Sequence, residues 1–548
     1  MPKRSHSNPI VFRTDANIGN ISAEADDDFL FECFVDHPAV STMADLDSAK
    51  LFISGRTGSG KTAVLRMIEK QQANVSSIDL HELALGYVAN STIIQFLDAL
   101  GVDLDIFFQA LWKHILCIEF IRLKFAVKNE HQSRSIFQVF SNFFKSDERK
   151  KSGVEYLRKW EGKFWITMDE NIRELTQQIE ETIDAELSTE INKFKSNVGY
   201  SRSLNKEKKS ALVARAKKIV DAKLLVDLGR VLDMLAEYED ENHDKYASSY
   251  YILIDKIDEK WVDDSIRYQL IRALIECLRS FRKIHRLKII VAMRSDVLER
   301  VVQESNHSGF QREKYDDYIF RLRWNKDQLK QLIDKRINFL FRKKYSSEQV
   351  FLNDIFDHKV GKIDSFTYML DRTQMRPRDI IGFINACLEN AEGKSKVTQR
   401  IIRQSESDYS RVRLQALTEE WESAFPTLRI AFQTMAKLGH NFKSTDLLSK
   451  EFVEQFILET GESFDGHSDP LCSIIRQSFN ANSDVDFDRI ARLLVSELYR
   501  IGAIGLKTSP SEPFQHSHIN SPAINPELIN DDVKIRIHPM IHRALNLP

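Results

Sequence analysis

The chain has few cysteines, no long unbroken apolar run and no excess charge of one sign. Its five cysteines, Cys33, Cys117, Cys277, Cys387 and Cys472, lie far apart in 548 residues, and no pair has zinc-ligand or redox spacing. That excludes a disulfide framework and points to reduced, buried thiols in a cytoplasmic protein. The apolar stretch nearest to a membrane span, Ile106 to Phe125, is interrupted by Lys113, His114, Glu119, Arg122 and Lys124, so no membrane partner is expected. The opening residues MPKRSHSNPIVF lack the apolar core of a signal peptide. A net charge of −2 gives no chain-wide signal for nucleic acid, so any basic surface must be local. The fifteen histidines show no metal-ligand spacing; His538 and His542 sit four apart, but Pro539 between them argues against a helical metal pair. With 42% hydrophobic residues over this length, the chain is globular and too long for one core; three or four domains are expected.

What is present is sharper. An apolar run, Leu51, Phe52 and Ile53, is followed by Gly55-Arg56-Thr57-Gly58-Ser59-Gly60-Lys61-Thr62 and then a helical run from Ala63 to Lys70. This is the pattern G-x-x-x-x-G-K-[ST] in its strand–loop–helix setting. Gly55, Gly58 and Gly60 let successive backbone N–H groups turn toward one point with no Cβ in the way, and the helix start adds its positive dipole end. The residues from Gly55 to Ala63 should therefore cradle the phosphates of a nucleotide. Lys61 should reach the β and γ phosphates, and the Thr62 hydroxyl should ligate Mg²⁺.

A second acidic site follows in YYILIDKIDEKW, Tyr250 to Trp261, where five apolar residues end in Asp255 as a buried parallel strand should. Asp255 is expected to hold Mg²⁺ opposite Thr62, and Asp258 or Glu259 to orient or deprotonate the attacking water. A further strand, Leu287 to Met293, ends at Arg294, a candidate for sensing the γ-phosphate or for an ion pair with Asp296 or Asp255. Strands at Ser76 to Leu80 and Tyr318 to Trp324 complete a parallel sheet of the P-loop type. No LSGGQ signature is present, and Asn325-Lys326-Asp327 is followed by Gln328 rather than the aspartate of a guanine reader, which favours ATP over GTP.

The set GRTGSGKT, ILIDKIDEKW, IIVAMRSD and RPRDIIGFINACLENA resembles the AAA+/STAND (ASCE) branch of P-loop ATPases. It is particularly similar to bacterial STAND-like ATPases of mobile and antiphage defence loci. That group shows a strand ending D-x-x-D-E-x-W, matched here by Asp255, Asp258, Glu259 and Trp261. The resemblance covers most of the chain except roughly residues 126–244. It implies bound ATP and Mg²⁺, a homo-oligomer, and a lid that places Arg376 or Arg378 over the phosphates. A neighbouring subunit could supply an arginine finger, for which Arg300, Arg312 and Arg321 lie in the right region. The chain departs from AAA+ relatives at Lys256, where they carry the catalytic glutamate, and this implies a slow switch.

The fold expected is α/β: a parallel-sheet P-loop NTPase core with a long helical insertion, an α-helical lid and a C-terminal winged-helix-like domain. The divisions read as an N-terminal segment at 1–45, the core at 46–125 and 245–325, the insertion at 126–244, the lid at 326–405 and the last domain at 406–548. In the N-terminal segment, residues 26–34 read as an amphipathic helix. In the insertion, Ile172, Leu175, Ile179, Ile183, Leu187 and Ile191 recur at helical spacing, and a second helix is expected over Lys206 to Glu237, making a hairpin with a solvated face or a projecting partner-binding arm. The lid should hold helices at 326–341 and 379–390. The last domain should hold helices near 417–438, 444–459 and 487–501, then short strands within 501–507 and 534–539. The functional expectation is an ATP-dependent switch or assembly platform for an effector protein carried on another chain. A DNA-dependent motor or loader, which leaves DNA or RNA open as partners, and an ATP-bound scaffold without turnover are the alternatives.

Overall fold

A computed structural model describes residues 11–79, 91–144, 147, 150–164, 166, 170, 173–174, 177, 185–196, 204–219, 222–241, 248–259, 264–304, 313–344, 349–422, 425–461, 471–472, 474–475 and 486–547. The chain divides into two compact units, Asp36–Arg56 with Lys61–Leu322, and Met1–Val35 with Thr57–Gly60 and Arg323–Pro548.

The first unit is built on five parallel strands: β1 (Phe52–Gly55), β2 (Val75–Asp79), β3 (Tyr250–Asp255), β4 (Leu287–Arg294) and β5 (Ile319–Arg321). They lie in the order β2-β3-β4-β1-β5. β3 and β4 are near-continuous apolar runs because helices cover both faces of a parallel sheet. β4 thus separates the strand that feeds the glycine-rich loop from the strand that ends in Asp255. Register places Gly55 beside Arg294 and Asp79 beside Asp255, so one edge of the sheet gathers the polar ends of its strands. β5 is shorter than its sequence pattern, since pairing with β1 stops at Arg321.

The helix α1 (Lys61–Gln71) leaves the loop after β1 and buries Val64, Leu65, Met67 and Ile68. The apolar stretch that came nearest to a membrane span is α2 (Asp105–Phe125), a core helix with thirteen buried residues, including Trp112, whose Nε1 donates to the Leu270 carbonyl at 2.9 Å. No described helix is long and apolar enough to cross a membrane. Of the helix expected over 206–237, the described parts are Lys206–Ile219 and α3 (Ala222–Glu241), and residues 220–221 fall outside the described residues. The described part of the other predicted insertion helix is Ala185–Ser196, while Ile172, Leu175, Ile179 and Ile183 fall outside the described residues. The described helices of the insertion do not stand apart as an arm. Phe137, Phe140, Tyr156, Leu157, Leu228, Val231 and Leu232 share one apolar core with the sheet and with α4 (Asp264–Phe281). Burial of these side chains is worth more than solvating the charged face of an isolated hairpin. β4 runs directly into α5 (Ser295–Glu304).

The second unit has its own core. Its helices α6 (Lys326–Lys344) and α7 (Pro377–Asn390) carry the expected periodicity, with Pro377 in the first turn, where its missing N–H costs nothing. α8 (Gln399–Trp421) is long, and the single helix expected over 417–438 is interrupted: a separate helix, Leu428–Ala436, begins after Phe425 and Pro426. Proline cannot continue a helix whose preceding turn needs its N–H. Further on, α9 (Phe487–Ile501) ends at Gly502, whose φ of +84° is a left-handed cap. Three short strands, β6 (Asn441–Lys443), β7 (Ile504–Lys507) and β8 (Lys534–Ile537), form an antiparallel sheet in the order β6-β8-β7. Of the expected strand over 501–507, the first three residues close the helix instead. The short helix Asp27–Glu32 belongs to this unit, where buried Asp26 pairs with Arg336 of α6.

If the insertion is part of the core, Leu232→Ala, which removes a fully buried side chain of α3, should cost about 2–5 kcal/mol in denaturant unfolding. A cost near zero would mark the insertion as an independent arm.

Candidate nucleotide site

The loop after β1 has neither strand nor helix to satisfy its peptide groups, and side chains take over. In the first unit, the Lys61 ammonium donates to the carbonyls of Gly55 at 3.1 Å and Arg56 at 3.3 Å. In the second unit, Arg376 Nη1 donates to the Thr57 carbonyl at 2.9 Å, the Arg378 amide to Gly58 at 3.4 Å, and Trp324 Nε1 to Ser59 at 2.7 Å. Five successive carbonyls are thus each held by a donor. In a trans peptide the N–H points opposite to its C=O, so in the second unit these bonds turn the amides of residues 58–60 away from Arg376, Arg378 and Trp324. That is the geometry an anion needs. Gly58 and Gly60 take φ of +76° and +96°, a region that side-chain-bearing residues rarely enter. A Cβ on Gly58 would also fall 2.7 Å from Arg378 Cβ. Thr57 Oγ1 and Ser59 Oγ are buried without a hydrogen-bond partner among the described residues. A loop with its carbonyls tied back and orphaned hydroxyls fits a polyphosphate group.

The remaining candidates of the first unit meet at the polar edge of the sheet. The Thr62 hydroxyl bonds to the Asp255 carboxylate, which also accepts from the Lys256 amide at 2.9 Å. Burial pushes the Asp255 carboxyl up from the ordinary range, and the Thr62 and Lys256 bonds offset part of this. Asp258 accepts from the Arg294 amide at 3.1 Å, and the Arg294 guanidinium is clamped on Asp296 at 2.6 Å and stands 3.8 Å from Asp258. Burial pushes the Lys61 ammonium down, against the pull of Asp258 and Asp255. Glu259 is exposed, and its carbonyl accepts from Arg267. Ala63 follows Thr62 in the first turn of α1. The two residues expected on Mg²⁺, Thr62 and Asp255, therefore touch one another, and one carboxylate and one hydroxyl are the hard oxygen donors this ion takes.

Lys256, directly after Asp255, has φ of +57°. A lysine held there costs roughly 1–2 kcal/mol, so the chain leaves the line of β3 immediately after Asp255, and position 256 does not extend the strand.

Arg376 and Arg378 do different things. Arg376 is buried, with Nε on Asp379 at 2.9 Å and Nη1 3.6 Å from Glu420. Burial opposes its charge, but Asp379 and Glu420 outweigh that and raise its pKa. Asp379 is fully buried, accepts from the Gln374 amide at 3.0 Å, and is shared with Arg413 of α8 at 2.9 Å. Burial alone would raise the Asp379 carboxyl; the two guanidiniums prevail and hold it at about 2. Met375 just before has φ of +54°, so the turn that aims Arg376 at the loop is itself strained. Arg378 lies against Gly58, and burial with Arg376 and Arg413 lowers its pKa. Of the finger candidates, Arg321 is paired with Asp316 at 2.7 Å, Arg300 lies on α5, and Arg312 is outside the described residues, as is Trp261 of the pattern after β3. Sequence reasoning missed Trp324 and Arg413: one sits at the end of a strand pattern, the other within an ordinary helical stretch, and only folding brings them to the loop and to Asp379.

Residues 327–418, from α6 through most of α8, match the family described as the FunZ-associated C-terminal helical domain. No curated protein matches the chain. Among solved structures, a Walker-type ATPase of Pyrococcus abyssi aligns with 94% of this chain and 96% of its own, at 11% identity and a TM-score of 0.37.

Asp379→Asn leaves two buried guanidiniums without their shared carboxylate and should cost about 3–5 kcal/mol in chemical denaturation. Because the folded carboxyl is held below its unfolded value, its contribution is complete above about pH 4 and is lost as pH falls toward 2. The stability of the Asn variant should fall less steeply across that window.

Proposed function

We propose that the chain binds ATP with Mg²⁺ and hydrolyses it slowly, using the nucleotide to switch between states that hold or release a partner protein. The observation that carries the reading is the loop at residues 55–60, with its five carbonyls tied back and Lys61 at its end. The amides of the loop and the Lys61 ammonium would hold the phosphates, and Thr62 and Asp255 would hold the metal, which supplies charge neutralisation there.

Asp258 is the proposed base for water. Its carboxylate is fixed by the Arg294 amide, and among the acids it acts most strongly on Lys61. Glu259 is exposed on the turn beyond it. Arg294, held between Asp258 and Asp296, would sense the γ-phosphate. Lys256 stands where AAA+ relatives carry their acid, which supports turnover well below the roughly 10 s⁻¹ median of enzymes.

The partner is proposed to carry the effector activity, because the sequence contains no second catalytic constellation. The lid at 326–405 and the last domain, with its antiparallel sheet read as winged-helix-like, are the proposed moving parts. Antiphage defence and a homo-oligomer are proposed from the resemblance to STAND-like ATPases.

Steady-state hydrolysis tests the chemistry. Asp258→Asn should lower turnover by about 10²-fold or more with ATP affinity retained, whereas Glu259→Gln should change it little. The reverse pattern would give the base to Glu259. Turnover independent of both acids would support the scaffold reading instead.

A further inference from the structure

Three histidines far from any sequence motif are brought together in the second unit. Gln515 pairs with Leu506 of β7 across an antiparallel bridge, and the chain then turns through His516-Ser517-His518. The turn is fixed by the His516 amide on Asn520 Oδ1 at 2.9 Å and by Ser517 Oγ on the Arg500 carbonyl at 3.3 Å. His538 follows β8, its amide bound to the Ala503 carbonyl at 2.8 Å. The three rings form a nearly equilateral triangle. Their centroids are 5.4 Å apart for His516 and His518, 5.2 Å for His516 and His538, and 5.2 Å for His518 and His538. One ring nitrogen from each lies within 4.8 Å of the other two.

We propose that His516, His518 and His538 form a three-imidazole site for a divalent transition-metal ion, with zinc as its first candidate. Metal–nitrogen bonds of about 2.0–2.1 Å put each ring centroid about 3.2 Å from the ion, and tetrahedral angles then separate the centroids by about 5.2 Å. The observed triangle has that size. A fourth position is left for water or another ligand.

Two further observations indicate a built site. His516 and His538 are buried, and His516 Nδ1 has no hydrogen-bond partner among the described residues. The His516 ring is seated directly on Gly505 in the middle of β7: a Cβ there would fall 2.8 Å from Nε2 and 2.9 Å from Nδ1. A glycine inside a strand weakens it, and here the missing side chain makes room for the imidazole. Burial lowers the pKa of His516 to about 4 and that of His538 well below its ordinary value. Among the described residues no carboxylate joins the triad, and Arg536 acts on His516 from the strand opposite Gly505. That selects against hard cations such as Mg²⁺ and Ca²⁺ and for ions that bond imidazole strongly.

Binding has a structural consequence. His538 Nδ1 accepts from the Met540 amide at 3.1 Å. A metal on Nδ1 takes that lone pair, and a metal on Nε2 places the ring proton on Nδ1. Either way the Met540 amide loses its acceptor, at the turn Pro539–Ile541 that packs on α8.

The test uses the full chain without a polyhistidine tag, stripped with a chelator, dialysed against zinc and counted by elemental analysis. The expected result is one zinc per chain in the parent and in Lys61→Ala, and none above background in His518→Asn and in the variant with all three histidines changed to asparagine. His518 is the half-buried member, and circular dichroism checks that its variant is folded. Cobalt in place of zinc should give the visible bands of a tetrahedral site, and zinc should shift the Met540 amide resonance. A folded parent that retains no zinc, or a folded triple variant that retains as much as the parent, would overturn the proposal. An unmoved Met540 amide would overturn the role of His538.

Discussion

The structure depends on how a stretch of backbone with no secondary structure is held open. Between β1 and α1 the peptide groups have no ladder or helix to join, yet they are partly buried, and such groups must find partners. The chain supplies a donor to each carbonyl from Gly55 to Ser59: Lys61 twice, then Arg376, the Arg378 amide and Trp324. A donor on a carbonyl does not use the N–H of the same peptide, and N–H groups at a helix start make an anion site. The glycines are required because the backbone angles at 58 and 60 exclude most side chains.

Holding a carbonyl with a buried arginine has its own cost, which Asp379 offsets. It is shared by Arg376 and Arg413, and its low pKa records how strongly the two cations act on it. Such a cluster is poor in net stabilisation but strongly punished when one member is removed. It makes Arg376 a positioning residue whose geometry is set by α8 as well as by α7. Gln374, one residue before the strained Met375, donates to the carbonyls of Ile501 and Gly502 at the end of α9. The loop residues 57–60, α7, α8 and the end of α9 are thereby joined by polar bonds within one unit, a physical route for the proposed switch.

Much of this was legible in the sequence because the chemistry constrains residue type at short spacing. The loop, β3 ending in Asp255 and β4 ending in Arg294 follow from patterns a few residues long. Pro377 announced the start of α7. What was not legible depends on distant residues meeting. The interruption at Pro426 was hidden by apolar residues that keep helical spacing across it. The insertion looked like a solvated hairpin because its charged face is obvious, while the core that receives its apolar face is assembled only on folding. Trp324 and Arg413 carry no local signature. No spacing along the chain marks His516, His518 and His538 as a set; a turn, a strand end and the gap at Gly505 bring them together.

The central claim is that the loop binds the phosphates of ATP, and equilibrium binding of MgATP to the full chain tests it most directly. Titration calorimetry of the parent and Lys61→Ala, both verified as folded, should give saturable binding at one site per chain in the parent. The variant should bind about 100-fold more weakly or not measurably, the loss of roughly 3 kcal/mol expected when a buried charge-assisted contact to phosphate is removed. Equal affinity in the two proteins, or no binding to the parent, would contradict the account.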